Sequence, residues 1–209
     1  MAVLPGPGSR SAGEPTADDA AGAASGGTGA LTSDAALARS AAMGDRDAFE
    51  AIVRRHGPAM FRFARRTLGD DGDAQEVVQD AFVAAWQQLS RWRGDAALRT
   101  WLFSVVSHKA VDRQRRRRLA RVGEDALEQV AAGPGYDPEA QAAGSDLAAA
   151  LEVELGRLPE SQRTVWLLRE VEGLSYADIA EVTGTGAEAV RGQLTRARRT
   201  LSERLERWR

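Results

Sequence analysis

The chain has 209 residues, 43% of them apolar, which is enough for two small helical domains rather than one large one. It has no cysteine and only two histidines, which excludes disulfides, a thiolate metal site and a histidine-rich metal site. No apolar run is long enough to cross a bilayer and no signal-peptide pattern is visible, so we expect a cytoplasmic protein. We expect no metal, no other cofactor and no small-molecule substrate.

Charge is distributed in blocks along the chain, although the formal net charge is only −2. Residues 112–121 contain six arginines and one aspartate, and residues 191–209 contain seven arginines and two glutamates. Between them, residues 122–150 contain six acidic residues and no basic one. Two basic segments separated by an acidic one are compatible with nucleic-acid binding, despite the overall acidic balance.

Residues 1–31 are predicted to be a disordered N-terminal extension. Residues 1–30 contain seven glycines, three prolines and no aromatic residue. Such a segment buries too little apolar surface to offset the entropy lost on ordering. Order is expected from residue 32, where Ser33 is suited to cap a helix that runs through Ala41.

A first domain is predicted over residues 32–121, with four helices. Gly57 and Pro58 are expected to bend or restart the second helix. The third begins at Asp73, and the fourth covers residues 98–118. The apolar positions predicted to be buried are Phe49, Ile52, Val53, Met60, Phe61, Phe63 and Leu68, then Val77, Val78, Ala81, Phe82, Ala85 and Leu89, and finally Leu102, Val105, Val106 and Val111.

A flexible acidic linker is predicted over residues 122–144, which contain several prolines and glycines. A second, all-helical domain is predicted over residues 145–209. The chain shows no β-pattern and no internal repeat. The predicted fold class is therefore all-α, with two small helical domains. Before its last two helices, the second domain is expected to bury Leu155, Leu158, Val165, Leu167, Leu168 and Val171.

Residues 174–199 have the pattern of a helix-turn-helix. Ser175 and Asp178 form the sequence pattern of a capping box, which starts the first helix near Tyr176. A tight turn between the two helices is predicted where the backbone is most permissive, at Gly184, Thr185 and Gly186.

The second helix of this motif carries an apolar stripe and a basic face. The stripe follows steps of four, three and four residues, at Val190, Leu194, Ala197 and Leu201. An amphipathic helix pair with a solvated basic face is the alternative, but capping, turn and basic face together favour duplex DNA. The positions opposite the stripe are Glu188, Arg191, Gly192, Thr195, Arg196 and Arg199.

Further motifs lie at residues 73–86, 91–95, 99–103 and Asp112 in the first domain, and at 158–163, 172–176, 178–180 and 196–198 in the second. In their order along the chain, these motifs resemble the extracytoplasmic-function (ECF) group of the sigma-70 family, the small initiation factors of bacterial RNA polymerase. The resemblance covers residues 45–207 and implies two helical modules, regions 2 and 4, and no enzymatic activity. The implied partners are core RNA polymerase, with its beta and beta-prime subunits, and promoter DNA. Whether an anti-sigma factor also binds is left open.

In this family, the helix that matches residues 73–86 docks on the clamp coiled coil of the polymerase. An acidic helix face suits a basic partner, but most such faces are merely solvated, and only the resemblance favours docking. The implied polymerase-binding residues are Asp73, Glu76, Gln79, Asp80 and Phe82.

The segment from residue 91 to residue 101 resembles the family's strand-opening loop at the −10 element. Its rings and arginines suit an unstacked base. Trp101 is equally compatible with the core, and His108 occupies a position where members commonly carry asparagine. The implied −10 residues are Trp92, Arg93, Arg99, Trp101 and His108, followed by Arg113, Arg115 and Arg116 on duplex phosphates.

The resemblance assigns the second domain to the −35 element. Members usually carry a basic residue, serine and arginine where this chain has Arg191, Gly192 and Gln193, so its promoter preference is expected to differ. The acidic linker either occupies a nucleic-acid channel of the polymerase or is a solubilising spacer. A stand-alone helix-turn-helix regulator is the main rival, whereas no catalytic constellation supports a DNA-modifying enzyme. The implied −35 residues are Arg191, Gly192, Thr195, Arg196 and Arg199.

Overall fold

The computed structural model describes residues 33–124, apart from Arg93 and Asp95, and residues 146–206. Regular structure in these ranges is entirely helical, which confirms the predicted all-α class. The predicted N-terminal extension, and the predicted linker beyond Glu124, lie outside the described residues. The helices are α1 (Asp34–Ala42), α2 (Arg46–Leu68), α3 (Asp71–Gln88), α4 (Leu98–Glu124), α5 (Asp146–Gly156), α6 (Glu160–Trp166), α7 (Tyr176–Thr183) and α8 (Ala187–Arg204), with a 3₁₀ turn (Leu89–Arg91) and a π-helical turn (Leu167–Val171).

Short polar side chains start the first three helices. The Ser33 hydroxyl accepts a hydrogen bond from the Ala36 N–H, as predicted, and the Asp45 carboxylate accepts from two N–H groups of α2. Asp70 accepts from the Asp73 N–H at 2.7 Å. These side chains satisfy N–H groups that have no partner inside the helix. At the other end of α2, Gly69 adopts a φ of 71° and terminates the helix.

The second helix runs without interruption through Pro58, so the restart considered at Gly57 and Pro58 does not occur. A proline inside a helix removes one hydrogen bond and costs about 3 kcal/mol. Burial compensates here, because Ile52 and Met60, on either side of Pro58, are almost completely inaccessible to solvent. Each buried side chain of this size contributes about 1.5–3 kcal/mol, so the packed face of α2 outweighs the local penalty.

The first four helices share one apolar core, and most of the predicted core residues are buried in it. Phe63 of α2 and Phe103 of α4 meet edge to face, with ring centroids 5.5 Å apart. The expectation for Val111 was wrong, because this side chain is 44% exposed. The buried stripe of α4 passes instead through Ala110, and the next residue along a helix points about 100° away from it.

The buried residues of the second predicted domain belong to the same apolar core, but Val171 is not one of them. Val171 is 40% exposed, whereas the other five predicted core residues that precede the helix-turn-helix are buried. The reason lies in the π-helical turn, in which the Glu172 N–H donates to the Leu167 carbonyl five residues earlier. This wider turn accommodates one extra residue and rotates the following side chains away from a regular helical stripe.

The two helical halves pack directly against each other and belong to one compact unit. Arg163 of α6 is 7% exposed, and its guanidinium donates to the Thr67 carbonyl of α2 at 2.8 Å. Arg66 of α2 and Glu152 of α5 form an ion pair at 2.7 Å. Within the described ranges, no helix is long and apolar enough to cross a membrane.

His56, in the middle of α2, is predicted to make folding stability dependent on pH. It is 5% exposed, and burial lowers its pKa although Asp34 lies 3.0 Å from its Nε2 atom. The pKa of His56 is therefore lower in the folded than in the unfolded state. The stability that neutral His56 contributes is fully present above the unfolded pKa and is lost as pH falls through the folded pKa. We expect His56→Gln to reduce the stability change between about pH 7.5 and about pH 5.5, measured by urea unfolding. An unchanged pH dependence would contradict this role.

Candidate nucleic-acid and polymerase interface

The helix-turn-helix has the local geometry that the sequence predicts. The Ser175 hydroxyl accepts from the Asp178 N–H at 3.1 Å, and Asp178 Oδ2 accepts from the Ser175 N–H at 3.2 Å. The Ser175 hydroxyl also hydrogen-bonds this carboxylate, and this bond lowers the pKa of Asp178. Burial raises the pKa in opposition, and the hydrogen bond from Thr100 lowers it further. Gly184 has a φ of 63° and ends α7, and Gly186 is the cap from which α8 begins.

The second helix of the motif, α8, buries its predicted apolar stripe and exposes its basic face. Arg191 pairs with Glu188, and its guanidinium lies 5.6 Å from the Tyr176 ring centroid. Thr195 donates to the Arg191 carbonyl at 2.9 Å. Arg196 makes no ion pair with the described residues. This exposed surface, which we call the α8 basic face, consists of Arg191, Thr195, Arg196 and Arg199, with Gly192 half-buried between them.

Two groups of residues assigned to different partners contact each other in the structure. Asp73, an expected polymerase-binding residue, is 9% exposed and lies against two arginines of α4. Arg113 Nε donates to Asp73 Oδ1 at 2.9 Å, and Arg117 pairs with Asp73 Oδ2 at 2.7 Å. Arg113 also pairs with Glu76, and its hydrogen bond to Asp73 raises the pKa of the guanidinium. These ion pairs join the start of α3 to the second half of α4.

Arg99, an expected −10 residue, contacts the second half of the chain. Its Nη2 atom lies 2.6 Å from Glu172 Oε2, and its Nη1 atom donates to the Glu172 carbonyl at 2.6 Å. The guanidinium also lies 5.2 Å from the Phe103 ring centroid. One residue further along α4, the Thr100 hydroxyl donates to Asp178 Oδ1 at 3.0 Å. These contacts join the start of α4 to the second half of the chain.

The other expected −10 residues are distributed around the start and length of α4. Trp92 and Trp101 are half-buried against the core. For Trp101, this position is compatible both with core packing and with stacking on an unstacked base. The Trp92 indole N–H is buried and has no hydrogen-bond acceptor within the described part of the chain. Arg93 lies outside the described residues. His108, Arg115 and Arg116 are exposed on α4.

An apolar groove between α2 and α3 was not predicted from the sequence. Its volume is about 540 Å³. Val83 and Trp86 on its edge are 56% and 37% exposed, and Trp86 packs on Phe49 with ring centroids 4.9 Å apart. Val83 lies off the apolar stripe of α3, which is the signal that could have identified this surface. We call it the α2/α3 groove, and its lining residues are Phe49, Val53, Gly57, Phe61, Gln75, Val78, Gln79, Phe82, Val83 and Trp86.

Of the five expected polymerase-binding residues, only Gln79 and Phe82 line this groove. Glu76 and Asp80 are exposed on the same helix, α3. Asp73 differs from them because it is buried against Arg113 and Arg117, and Glu76 shares the pairing with Arg113. The structure therefore does not bring the five residues together on one accessible surface.

Comparisons with known proteins agree with the arrangement of the two halves. Residues 52–120 match the family Sigma-70 region 2, and residues 148–201 match the family Sigma-70, region 4. The RNA polymerase sigma factor NccH of Alcaligenes xylosoxydans xylosoxydans is 37% identical over 179 residues, which cover 83% of this chain and 95% of NccH.

Two solved structures show the same fold. CnrH, in complex with the cytosolic domain of CnrY, is 34% identical with a TM-score of 0.63, over 83% of this chain and 97% of CnrH. Sigma factor RpoE, in complex with the anti-sigma factor NepR from Bartonella quintana, is 26% identical with a TM-score of 0.64, over 76% of this chain and 96% of RpoE. The chain belongs to the extracytoplasmic-function group of the sigma-70 family and directs promoter-specific initiation by RNA polymerase.

Proposed function

We propose that the α8 basic face reads the −35 element of the promoters that this sigma factor selects. The observation that carries this assignment is a row of exposed arginines on the second helix of a helix-turn-helix whose opposite face is buried. A helix in this position enters the major groove, where arginine recognises guanine through two parallel hydrogen bonds. Arg191 and Arg196 lie more than one helical turn apart on this face, so they reach different base pairs or phosphates.

The α2/α3 groove is the proposed docking surface for core RNA polymerase. Exposed Val83 and Trp86 offer apolar area, and Asp80 on the same helix adds negative charge. A partner helix with apolar side chains and basic neighbours complements such a surface. Asp73 is assigned a different role, since its carboxylate is engaged by arginines of the same chain. It holds α3 against α4 and thereby positions the groove.

The start of α4 and the preceding loop are the proposed −10 surface. Trp92 supplies a ring for an unstacked base, and Arg115 and Arg116 are exposed to duplex phosphates. Arg113 contributes less charge toward DNA, because Asp73 and Glu76 neutralise it. His108 is exposed on α4, which leaves its ring accessible to DNA.

The proposed activity requires binding alone, because the polymerase supplies the catalytic chemistry. We therefore assign no catalytic residue to this chain, and we place its action in the cytoplasm, where polymerase and chromosomal DNA are found. An anti-sigma factor is a further proposed partner, since the RpoE relative was solved in such a complex.

Transcription in vitro with purified core polymerase tests the function as a whole. We expect the chain to co-elute with core polymerase in equal amounts and to start transcripts at a limited set of genomic sites. Core polymerase alone, on the same fragments, is the control. A stand-alone regulator would bind DNA without co-elution and start no transcripts, and that result would reject the proposal.

Arg191→Ala and Arg196→Ala are expected to separate base reading from phosphate binding. A bidentate arginine–guanine contact contributes about 1–3 kcal/mol of discrimination, whereas a phosphate contact changes affinity and its salt dependence. We expect Arg191→Ala to relax preference at one −35 position and Arg196→Ala to weaken binding across sequences. Selection from a randomised −35 library at two salt concentrations distinguishes these outcomes. If neither variant changes preference or affinity, α8 is not the reading helix.

A further inference from the structure

The Tyr176 side chain, at the first residue of α7, lies beside arginines from the elements on either side of that helix. The Arg169 guanidinium, from the π-helical turn, lies over the ring at 4.9 Å from its centroid, and the Arg191 guanidinium, from α8, lies over it at 5.6 Å. An aromatic face attracts a cation at these distances. Tyr176 thus supports one arginine of the α8 basic face without belonging to that face.

The Tyr176 ring is itself held in place. It is half-buried and packs against the apolar core. Arg169 Nη1 donates to the Leu174 carbonyl at 2.8 Å, which fixes this guanidinium over the ring. The pKa of Arg198 is raised chiefly by its hydrogen bond to Glu170, and a hydrogen bond to Tyr176 adds to this effect. The phenol is therefore fixed both at its ring and at its hydroxyl.

Arg191 also pairs with Glu188, one helical turn earlier in α8. The Glu188 and Arg191 side chains are 86% and 54% exposed, so water screens this ion pair and it restrains the guanidinium only weakly. The half-buried ring is the more rigid of the two supports. An arginine that is already oriented loses less side-chain freedom when its planar fork pairs with a base.

We propose that Tyr176 is a positioning residue for the −35 element, which holds the Arg191 guanidinium in the orientation that reads a base pair. The proposal rests on the function proposed above, in which Arg191 contacts a base. Tyr176 acts through Arg191 and needs no contact of its own with DNA. Preference at that base pair therefore depends on a residue of α7, outside the helix that enters the major groove.

Tyr176→Leu and Tyr176→Phe separate the ring from the hydroxyl. We expect Tyr176→Leu, which keeps an apolar side chain against the core, to reduce preference at the base pair read by Arg191 by about two- to fivefold, the usual strength of an exposed cation–ring contact. Tyr176→Phe keeps the ring and should keep the preference. The measurement is the ratio of dissociation constants of the complex with core polymerase for two promoter duplexes that differ only at this base pair.

Tyr176→Leu combined with Arg191→Ala is the decisive comparison. If Tyr176 acts through Arg191, adding Tyr176→Leu to the Arg191→Ala chain should not change the preference further. An even loss of affinity for all promoters in both backgrounds would show a direct phosphate contact of Tyr176. That result, or unchanged preference in Tyr176→Leu alone, would overturn the proposal and leave base reading by Arg191 intact. Unchanged preference in Arg191→Ala would reject both.

Nitrogen-15 relaxation of the arginine Nε atoms in the free chain tests the positioning without DNA, and without any variant that must fold. Arg199 is the internal control, because it lies on the same face and has an exposed ion pair of its own, with Glu203, but no contact with the Tyr176 ring among the described residues. We expect a higher order parameter at Arg191 than at Arg199. Tyr176→Leu should abolish this difference and Tyr176→Phe should keep it. Equal order at the two arginines of the unmodified chain would overturn the proposal.

Discussion

Val83→Asp is expected to weaken binding to core polymerase by about thirtyfold or more, because a carboxylate buried without a partner costs at least about 2 kcal/mol. Val83 lines the α2/α3 groove and is 56% exposed, so the free chain tolerates the charge. The affinity is measured by titrating labelled chain with core polymerase. Thermal unfolding of the free chain should remain within about 0.5 kcal/mol of the unmodified protein.

Gln87→Asp is the matched control for this substitution. It introduces the same charge one helical turn further along α3, at an exposed position that does not line the groove. Its affinity for core polymerase should change much less than that of Val83→Asp. Equal losses in the two variants would point to the overall charge of α3, and unchanged binding of Val83→Asp would remove the groove from the interface. Trp86→Ala is less informative, because this ring packs on Phe49 and supports the fold.

Asp73→Ala is expected to lower the free energy of unfolding by about 2 kcal/mol, because Arg117 loses its carboxylate partner and Arg113 keeps only the exposed Glu76. The Asp73 side chain is 11% exposed, and Arg113 and Arg117 are 26% and 37% exposed, so solvent screens part of the loss. Urea unfolding measures the change. Asp80→Ala is the control on the same helix, and its effect should stay within about 0.5 kcal/mol because Asp80 is exposed.

The same pair of variants distinguishes a positioning role of Asp73 from direct contact with polymerase. If Asp73 only holds α3 against α4, Asp73→Ala should retain most of its affinity for core polymerase when binding is measured at low temperature, where the variant is fully folded. A loss of affinity for core polymerase without a loss of folding stability would show that Asp73 contacts polymerase directly. The stability measurement and the binding measurement therefore test separate statements.

The helix-turn-helix could be predicted in detail because its signals are local. The capping box joins residues three apart, the turn depends on Gly184, and the stripe of α8 repeats within a few residues. Each of these features is specified by the backbone preferences of adjacent residues. The exposed basic face follows directly from the buried stripe, and the candidate −35 residues lie on α8 opposite that stripe.

The contacts that sequence reasoning did not find join distant parts of the chain. Asp73 and Arg113 are 40 residues apart, and Arg99 and Glu172 are 73 residues apart. Charge periodicity shows which side chains are polar, but not whether solvent, a partner or another arginine satisfies them. For the same reason, hydrophobic periodicity identified Val77 and Phe82 as buried without showing that α2 and α3 leave a groove beside them.

Two local expectations failed for a related reason. Val111 and Val171 both have apolar side chains within or next to a helical stripe, yet each is exposed. Val111 follows a small buried residue, Ala110, that takes the inward position. Val171 ends a π-helical turn, whose extra residue cannot be recognised from apolar spacing.

Gly192 links the stability of α8 to the position of the Arg196 side chain. A Cβ atom at this residue would lie 3.4 Å from Nη1 of Arg196, so the guanidinium rests against the helix where other residues have a side chain. Replacement by alanine would strengthen the helix by about 0.5–1 kcal/mol and place its Cβ in van der Waals contact with the Arg196 guanidinium. Position 192 therefore couples the stability of α8 to the space that the Arg196 guanidinium occupies, and under the proposed −35 role a side chain there would compete with this arginine for the same surface.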